Sequence, residues 1–167
     1  MGTPREPSRS VRISSTRAGS PQSTTAATVT AWRLAAANTL TTPVNLGIVH
    51  VNGAFGTSPL NVQNSAPASF SEGLDASFGA NTGAASNTGG SVTNLSGGST
   101  NASSLVVGLG GSANTATVGL KSGTVTVNLT SNGANSGLAS TPLAAQSINV
   151  NGQVNDFADP RSVLWPP

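Results

Sequence analysis

The stretch SGTVTVNLTS, residues 122–131, alternates apolar and polar side chains more cleanly than any other part of the chain. Val125, Val127 and Leu129 fall on one side, and the polar residues between them fall on the other. Successive side chains of a β-strand point to opposite faces of a sheet, so this period of two predicts a strand with one buried face.

Weaker copies of this pattern recur along the chain. In TPVNLGIVHVNG, residues 42–53, the residues Val44, Leu46 and Ile48 share one face before Val49 and Val51 take over the other. A glycine inside a strand often marks a bulge, so Gly47 is the expected point of the shift. The other residues predicted to face inward are Leu60, Val62, Leu105, Val107, Leu109, Ile148, Val150 and Val154.

Segments rich in Gly, Asn, Ser and Thr separate these strands. Such residues tolerate positive φ and form local side-chain hydrogen bonds, which is typical of turns. They predict loops at residues 81–91, 96–104, 110–114 and 131–137, and a loop or irregular strand at 68–78. Short strands with turn signals every 8 to 15 residues or so favour an all-β, immunoglobulin-like antiparallel β-sandwich.

The composition allows a core, but a thin one. Hydrophobic residues make up 36% of the chain and charged residues only 7%, far below the usual quarter or so. Disorder is the main rival reading, because a chain this rich in small polar residues must still offset its conformational entropy. The abundance and alternation of Val and Thr favour folded strands.

The charge distribution divides the chain into regions. Four of the seven Lys and Arg residues lie within the first 17 positions. Residues 1–25 are therefore predicted to be a disordered basic tail, 26–39 a strand that ends a preceding repeat, 40–155 the β-sandwich, and 156–167 a linker or ragged C-terminus. The nearly neutral sandwich lacks the basic face that nucleic acid would require.

Nothing in the sequence predicts insertion into a membrane or a thiolate site. No apolar run reaches the 18 or so residues of a spanning helix, and there is no cysteine. The N-terminal arginines are not followed by the apolar segment of a signal peptide, so a secretory signal is expected to lie outside this chain.

Three phrases of the sequence carry a resemblance to a known family. They lie at residues 44–53, 60–66 and 121–127, and over residues 27–158 the chain resembles the immunoglobulin-like repeats of bacterial choice-of-anchor D surface proteins, which are related in fold to ASH/HYDIN-type domains. Leu46 stands where the family pattern usually has Phe. The resemblance implies an extracellular or cell-surface location and neighbouring repeats of the same array as partners.

The residues that could carry chemistry are few. His50 is the only histidine, and no Gly-x-Ser-x-Gly elbow accompanies it, so a strand-face packing role is expected. Two carboxylate pairs, Glu72 with Asp75 and Asp156 with Asp159, could contribute to calcium binding but match no calcium loop. Trp32 and Trp165 are too few for a sugar-stacking platform.

The sequence therefore predicts a non-enzymatic structural or spacer repeat, associated with adhesion, that has no catalytic, cofactor-binding or metal-binding residues. One alternative is a glycan- or protein-binding module that uses the Asn/Gly/Ser-rich loops, such as residues 80–102. Another is a fibre subunit that self-associates through an edge strand, either ATVTAWRLA at 27–35 or INVNGQV at 148–154.

Overall fold

A computed structural model of the chain describes residues 8–12, 26–111 and 113–158. These residues form twelve β-strands and one short 3₁₀ turn. The elements are β1 (Ser8–Arg12), β2 (Ala26–Thr30), β3 (Val44–His50), β4 (Thr57–Pro59), β5 (Val62–Gln63), β6 (Gly73–Gly83), β7 (Ala85–Asn87), β8 (Ser91–Leu95), β9 (Thr100–Asn101), β10 (Val106–Leu109), β11 (Gly119–Asn132), the 3₁₀ turn (Gly133–Asn135) and β12 (Thr141–Asn155).

The largest sheet contains five strands in the order β3–β12–β11–β6–β8. Its pairings are antiparallel except that of β3 with β12, which is parallel. The all-β prediction is confirmed, but the expectation of purely antiparallel pairing is wrong at this edge. β3 and β12 are the first and last strands of the sheet, so the whole intervening chain supplies the long connection that a parallel pair needs.

The other strands, apart from those of this sheet, form smaller pairings. β4, β10 and β7 form a three-stranded sheet, β5 pairs with β9, and β1 pairs with β2. Leu60, Val62, Leu105 and Val107, which lie in or next to these short strands, belong to the same buried cluster as the inner face of the five-stranded sheet. The segments that contain these four residues therefore pack against one face of the large sheet.

β11 has the buried face that its alternation predicts. Val125 and Val127 are fully buried, and Leu129 is 3% exposed. Each such aliphatic side chain contributes about 1.5–3 kcal/mol when it leaves water. The other residues predicted to face inward that are buried are Leu60, Val62, Leu105, Val107, Ile148, Val150 and Val154, whereas Leu109 is half-buried.

The shift of face in β3 occurs at Gly47, as predicted. Gly47 has φ +81°, and the register with β12 shifts between Asn151 and Gln153. The prediction that Ile48 shares the face of Val44 is wrong, because Val44 is buried while Ile48 is 67% exposed. The bulge at Gly47 has already turned the next side chain outward.

The predicted loop at residues 81–91 is largely strand. β6 continues to Gly83, which has φ +57°, and the chain then enters β7 in the three-stranded sheet. Backbone pairing with β11 holds this polar part of β6, and the hydroxyls of Thr82 and Thr124 bond across the two strands. Ladder hydrogen bonds do not require apolar side chains, so composition alone gave the wrong prediction.

The ends of the chain also differ from the sequence prediction. Within the segment predicted as a disordered tail, Ser8–Arg12 forms β1, because β2 provides an antiparallel partner for its backbone. The buried Ala35 shows that packing begins before residue 40. The other residues of 1–25 and residues 159–167 lie outside the described part of the chain.

β11 defines two ends of the molecule. Gly119 pairs with Val154 at one end and Ser131 with Thr141 at the other, roughly 40 Å apart at about 3.3 Å per residue. The chain arrives beside Ser131, to whose Oγ the amide of Ala35 donates, and we call this the incoming end. It leaves β12 at Asn155 beside β3, which we call the outgoing end.

The buried cluster predicts a large difference between two leucine substitutions. Leu74 is fully buried in β6, so Leu74→Ala is expected to lower the free energy of unfolding by about 2–5 kcal/mol through lost burial and a residual cavity. Leu138, which is 64% exposed, is the control, and Leu138→Ala should change it by less than about 0.5 kcal/mol. Urea denaturation followed by circular dichroism compares the two, and equal losses would contradict this core assignment.

Candidate functional site

A buried carboxylate lies at the incoming end of the sheet. Glu72 is 1% exposed, and its two oxygens accept hydrogen bonds from Ser131 Oγ and Ser136 Oγ, both at 2.6 Å. Ser131 Oγ also accepts from the backbone amide of Ala35 at 2.7 Å. Glu72 thus connects the start of β6 to the end of β11 and to the turn after it. Ser131 extends this network to the backbone of Ala35.

Asp75 holds a second, more exposed network. Asn132 Nδ2 donates to both of its oxygens, at 3.1 and 2.9 Å, and the backbone amide of Asn94 donates at 2.6 Å. These bonds connect β6 to the end of β11 and to β8. Asn94 adopts φ +50°, and the hydrogen bond from its backbone amide to Asp75 helps to hold this uncommon conformation.

The two carboxylates are therefore engaged by donors from the protein itself. The oxygens of Glu72 and Asp75 accept from hydroxyl and amide groups of the same chain. Within the described residues, no three His, Cys, Asp or Glu side chains come together as a metal site. Asp156 is exposed and accepts from the amide of Phe157, and Asp159 lies outside the described residues.

Asn64 is a structural residue that the sequence analysis missed. It is fully buried, and its Oδ1 accepts from the amides of Ala36 at 3.1 Å and Ala66 at 3.3 Å. Its Nδ2 donates to the carbonyls of Glu72 at 3.0 Å and Leu95 at 2.9 Å. In a chain so rich in asparagine, no local signal separates this one from those in turns.

Ser71 differs from Ser131 although both are buried. Ser71 is 6% exposed, and its Oγ is the one buried side-chain polar atom among the described residues that has no hydrogen-bond partner. It lies between Glu72 and Phe70, whose φ of +55° is unusual for an aromatic residue. The residues around Glu72 thus include Asn64, whose side chain forms four hydrogen bonds, and Ser71, whose hydroxyl forms none.

His50 lies far from Glu72 and Asp75. It pairs with Asn155 at the outgoing end, and its ring stacks on Phe157 with centroids 4.6 Å apart and planes 15° apart. Glu72 and Asp75 lie at the incoming end, beside Ser131 and Thr130 of β11. The structure does not bring the histidine and these acids together, and the ring contact of His50 is with the exposed Phe157.

A shallow concavity of about 490 Å³ lies on the outer face of the sheet near the outgoing end. Its aliphatic members, Ile48 and Leu120, are each 67% exposed. The full lining is Asn45, Gly47, Ile48, Leu120, Asn151, Gly152 and Gln153. Amide and aliphatic groups can form contacts and hydrogen bonds, but they offer no acid, base or nucleophile.

Trp32 forms an edge-to-face pair with Phe70 at the incoming end. Their ring centroids are 6.1 Å apart, and their planes are inclined by 74°. Because the rings are nearly perpendicular, they form no flat platform on which a sugar could stack. Trp165, the other tryptophan, lies outside the described residues.

Most of the large apolar side chains that remain exposed among the described residues lie at the two ends. Leu34, Phe70 and Leu138 lie at the incoming end, near Ser131. Val118 and Phe157 lie at the outgoing end, and Ile48 and Leu120 lie beside it on the outer face, where they line the concavity. Exposed apolar groups that cluster in this way are typical of contact surfaces.

No protein-family model matches the chain, and no curated protein matches it. In the described residues, no helix has the length and apolar character needed to cross a membrane.

The hydrogen bonds around Glu72 predict different effects on stability for substitutions of two buried serines. Ser131→Ala removes the partner of the Ala35 amide and of a Glu72 oxygen, so it should lower the free energy of unfolding by about 1–3 kcal/mol. Ser71→Ala is the matched control and should cause no loss, because its hydroxyl has no partner. Chemical denaturation measures both, and a loss at Ser71 equal to that at Ser131 would refute the assigned role of the Glu72 network.

Proposed function

We propose that this chain is a non-enzymatic spacer repeat of a bacterial surface or secreted protein, and that it contacts neighbouring repeats end to end. The observation that carries the proposal is the position of five exposed apolar side chains at the two ends of the sheet, where the chain arrives and leaves: Leu34, Phe70, Leu138, Val118 and Phe157. A spacer needs its contacts at those ends and little recognition chemistry along its sides.

The arrangement of strands supports an immunoglobulin-like sandwich as the fold of this repeat. Residues of β5, β7 and β10 share one buried core with the five-stranded sheet, which is the packing expected of two opposed layers. In such a sandwich the chain can run from one end to the other, which suits a module repeated in an array.

The polar side chains of the incoming end support a structural role as well. Glu72 and Asn64 form their hydrogen bonds with loops and strand ends of the same chain. These bonds fix the geometry of the end that would receive a preceding repeat. Chemistry on a substrate would require such groups to be accessible, and Glu72 is 1% exposed.

The end-to-end contact predicts that two copies stabilise each other. A protein with two copies joined through their own terminal residues should unfold at higher urea concentration than a single copy, because Phe157 and its neighbours become buried at the junction. Phe157→Ser in the first copy should remove this gain. The same substitution in a single copy is the control, and identical midpoints for one and two copies would contradict the proposed contact.

A second candidate function is ligand binding in the concavity on the outer face. The observation that favours it is the pair of exposed aliphatic side chains, Ile48 and Leu120, beside the amides of Asn151 and Gln153. The loops at residues 80–102 are less suitable than the sequence suggested, because β6, β7 and β8 occupy much of that range.

A glycan array distinguishes this candidate from a passive spacer. If the concavity binds, Leu120→Arg should abolish an array signal through steric and electrostatic obstruction, while Leu138→Arg at the incoming end should leave it unchanged. Loss of signal in both variants, or in neither, would contradict binding at the concavity.

A further inference from the structure

Residues 38–51, which we call the incoming segment, run beside β12 over a longer stretch than β3 alone. Val44 pairs with Val150 and His50 with Asn155, in parallel register. The backbone amide of Val51 extends this ladder by donating to the carbonyl of Asn155 at 2.9 Å. β3 and β12 are therefore hydrogen-bonded to each other as far as the outgoing end.

Side chains extend the same contact toward the incoming end. Gln146 Oε1 accepts from the amide of Leu40, and Gln146 Nε2 donates to the carbonyl of Asn38, each at 2.8 Å. Further along, Thr42 Oγ1 accepts from the amide of Asn149 at 2.9 Å. Residues 38–51 are thus bonded to residues 146–155 on both sides of the bulge at Gly47.

Tension along the chain loads this contact in a particular direction. The incoming segment is pulled toward the incoming end, while β12 is pulled toward the outgoing end, because the two run parallel. The hydrogen bonds between them lie across the strands rather than along them. The pull therefore shears all of these bonds together instead of opening them one after another.

β12 is held firmly enough to act as the fixed side of the contact. It lies between β3 and β11, and its pairing with β11 runs from Thr141 opposite Ser131 to Val154 opposite Gly119. On the other side, Leu40 and Val44 are 2% and 8% exposed, so slippage of the incoming segment would also pull apolar side chains out of the core.

We propose that the contact between residues 38–51 and 146–155 is a mechanical clamp, which makes the chain a load-bearing module. The partners of this function are the flanking copies that transmit tension. The clamp rests on the proposed spacer function only for the origin of the load, since the resistance itself belongs to a single chain. Resistance to forced unfolding depends on the unfolding rate rather than on equilibrium stability.

Single-molecule pulling in two directions tests the clamp. The chain has no cysteine, so handles can be attached at introduced ones. Thr39→Cys with Ala158→Cys pulls the two segments in opposite directions and shears the contact, whereas Ala54→Cys with Ala158→Cys pulls from the outgoing end and opens it bond by bond. Thr39, Ala54 and Ala158 are all exposed. The rupture force is expected to be severalfold higher in the first geometry, and equal forces would overturn the clamp.

Variants identify the residues that resist the load. Gln146→Leu removes both side-chain bonds to the incoming segment and should lower the rupture force in the shearing geometry. Val92→Ala is the matched control, since Val92 is buried in β8 at the opposite edge of the sheet. It should reduce equilibrium stability, measured by urea denaturation, but not the rupture force.

The outcomes separate this proposal from the spacer proposal. A rupture force that falls as far in Val92→Ala as in Gln146→Leu, at equal equilibrium destabilisation, would overturn the clamp. That result leaves the measurement on two joined copies unaffected. Conversely, two copies that fail to stabilise each other would count against the end-to-end contact, while the direction dependence of a single chain would still support the clamp.

Discussion

The pairing of β11 on both sides is the constraint on which the rest of the structure depends. β12 and β6 flank this strand over most of its length, and its Val125, Val127 and Leu129 form the middle of the core. Because so few of the chain's apolar residues are large, this continuous buried row supplies much of the surface against which the short strands can pack. At its end, Ser131 connects the apolar row to the polar network of Glu72.

Sequence reasoning succeeded where a single strand decides the outcome. The alternation in residues 122–131 and the glycine at position 47 are local signals, and the structure has the expected buried face and bulge there. The predictions were wrong where a neighbouring strand, remote in the sequence, determines whether a segment is a strand or in which direction it pairs. The polar part of β6 is a strand because β11 lies beside it, and β3 is parallel to β12 because of how the whole chain closes.

The incoming-end network shows the same limit for the candidate site. Glu72 and Asp75 could be chosen from the sequence only as rare acids, since their partners are remote. Ser131 is 59 positions from Glu72, and Asn132 is 57 positions from Asp75. Asn64 was invisible among many asparagines. A buried polar group is identified by the unsatisfied backbone groups around it, and those appear only once the fold is known.

The bulge in β3 has a consequence for the sheet edge that it interrupts. The unpaired backbone groups of an open sheet edge can bind a strand of another chain, above all while the chains are folding. Here INVNGQV lies inside the sheet as part of β12, and the edge strand β3 is interrupted at Gly47, whose amide donates to its own neighbour Asn45 at 2.8 Å. The interruption at Gly47 thus removes part of the regular ladder that another strand would need in order to pair with this edge.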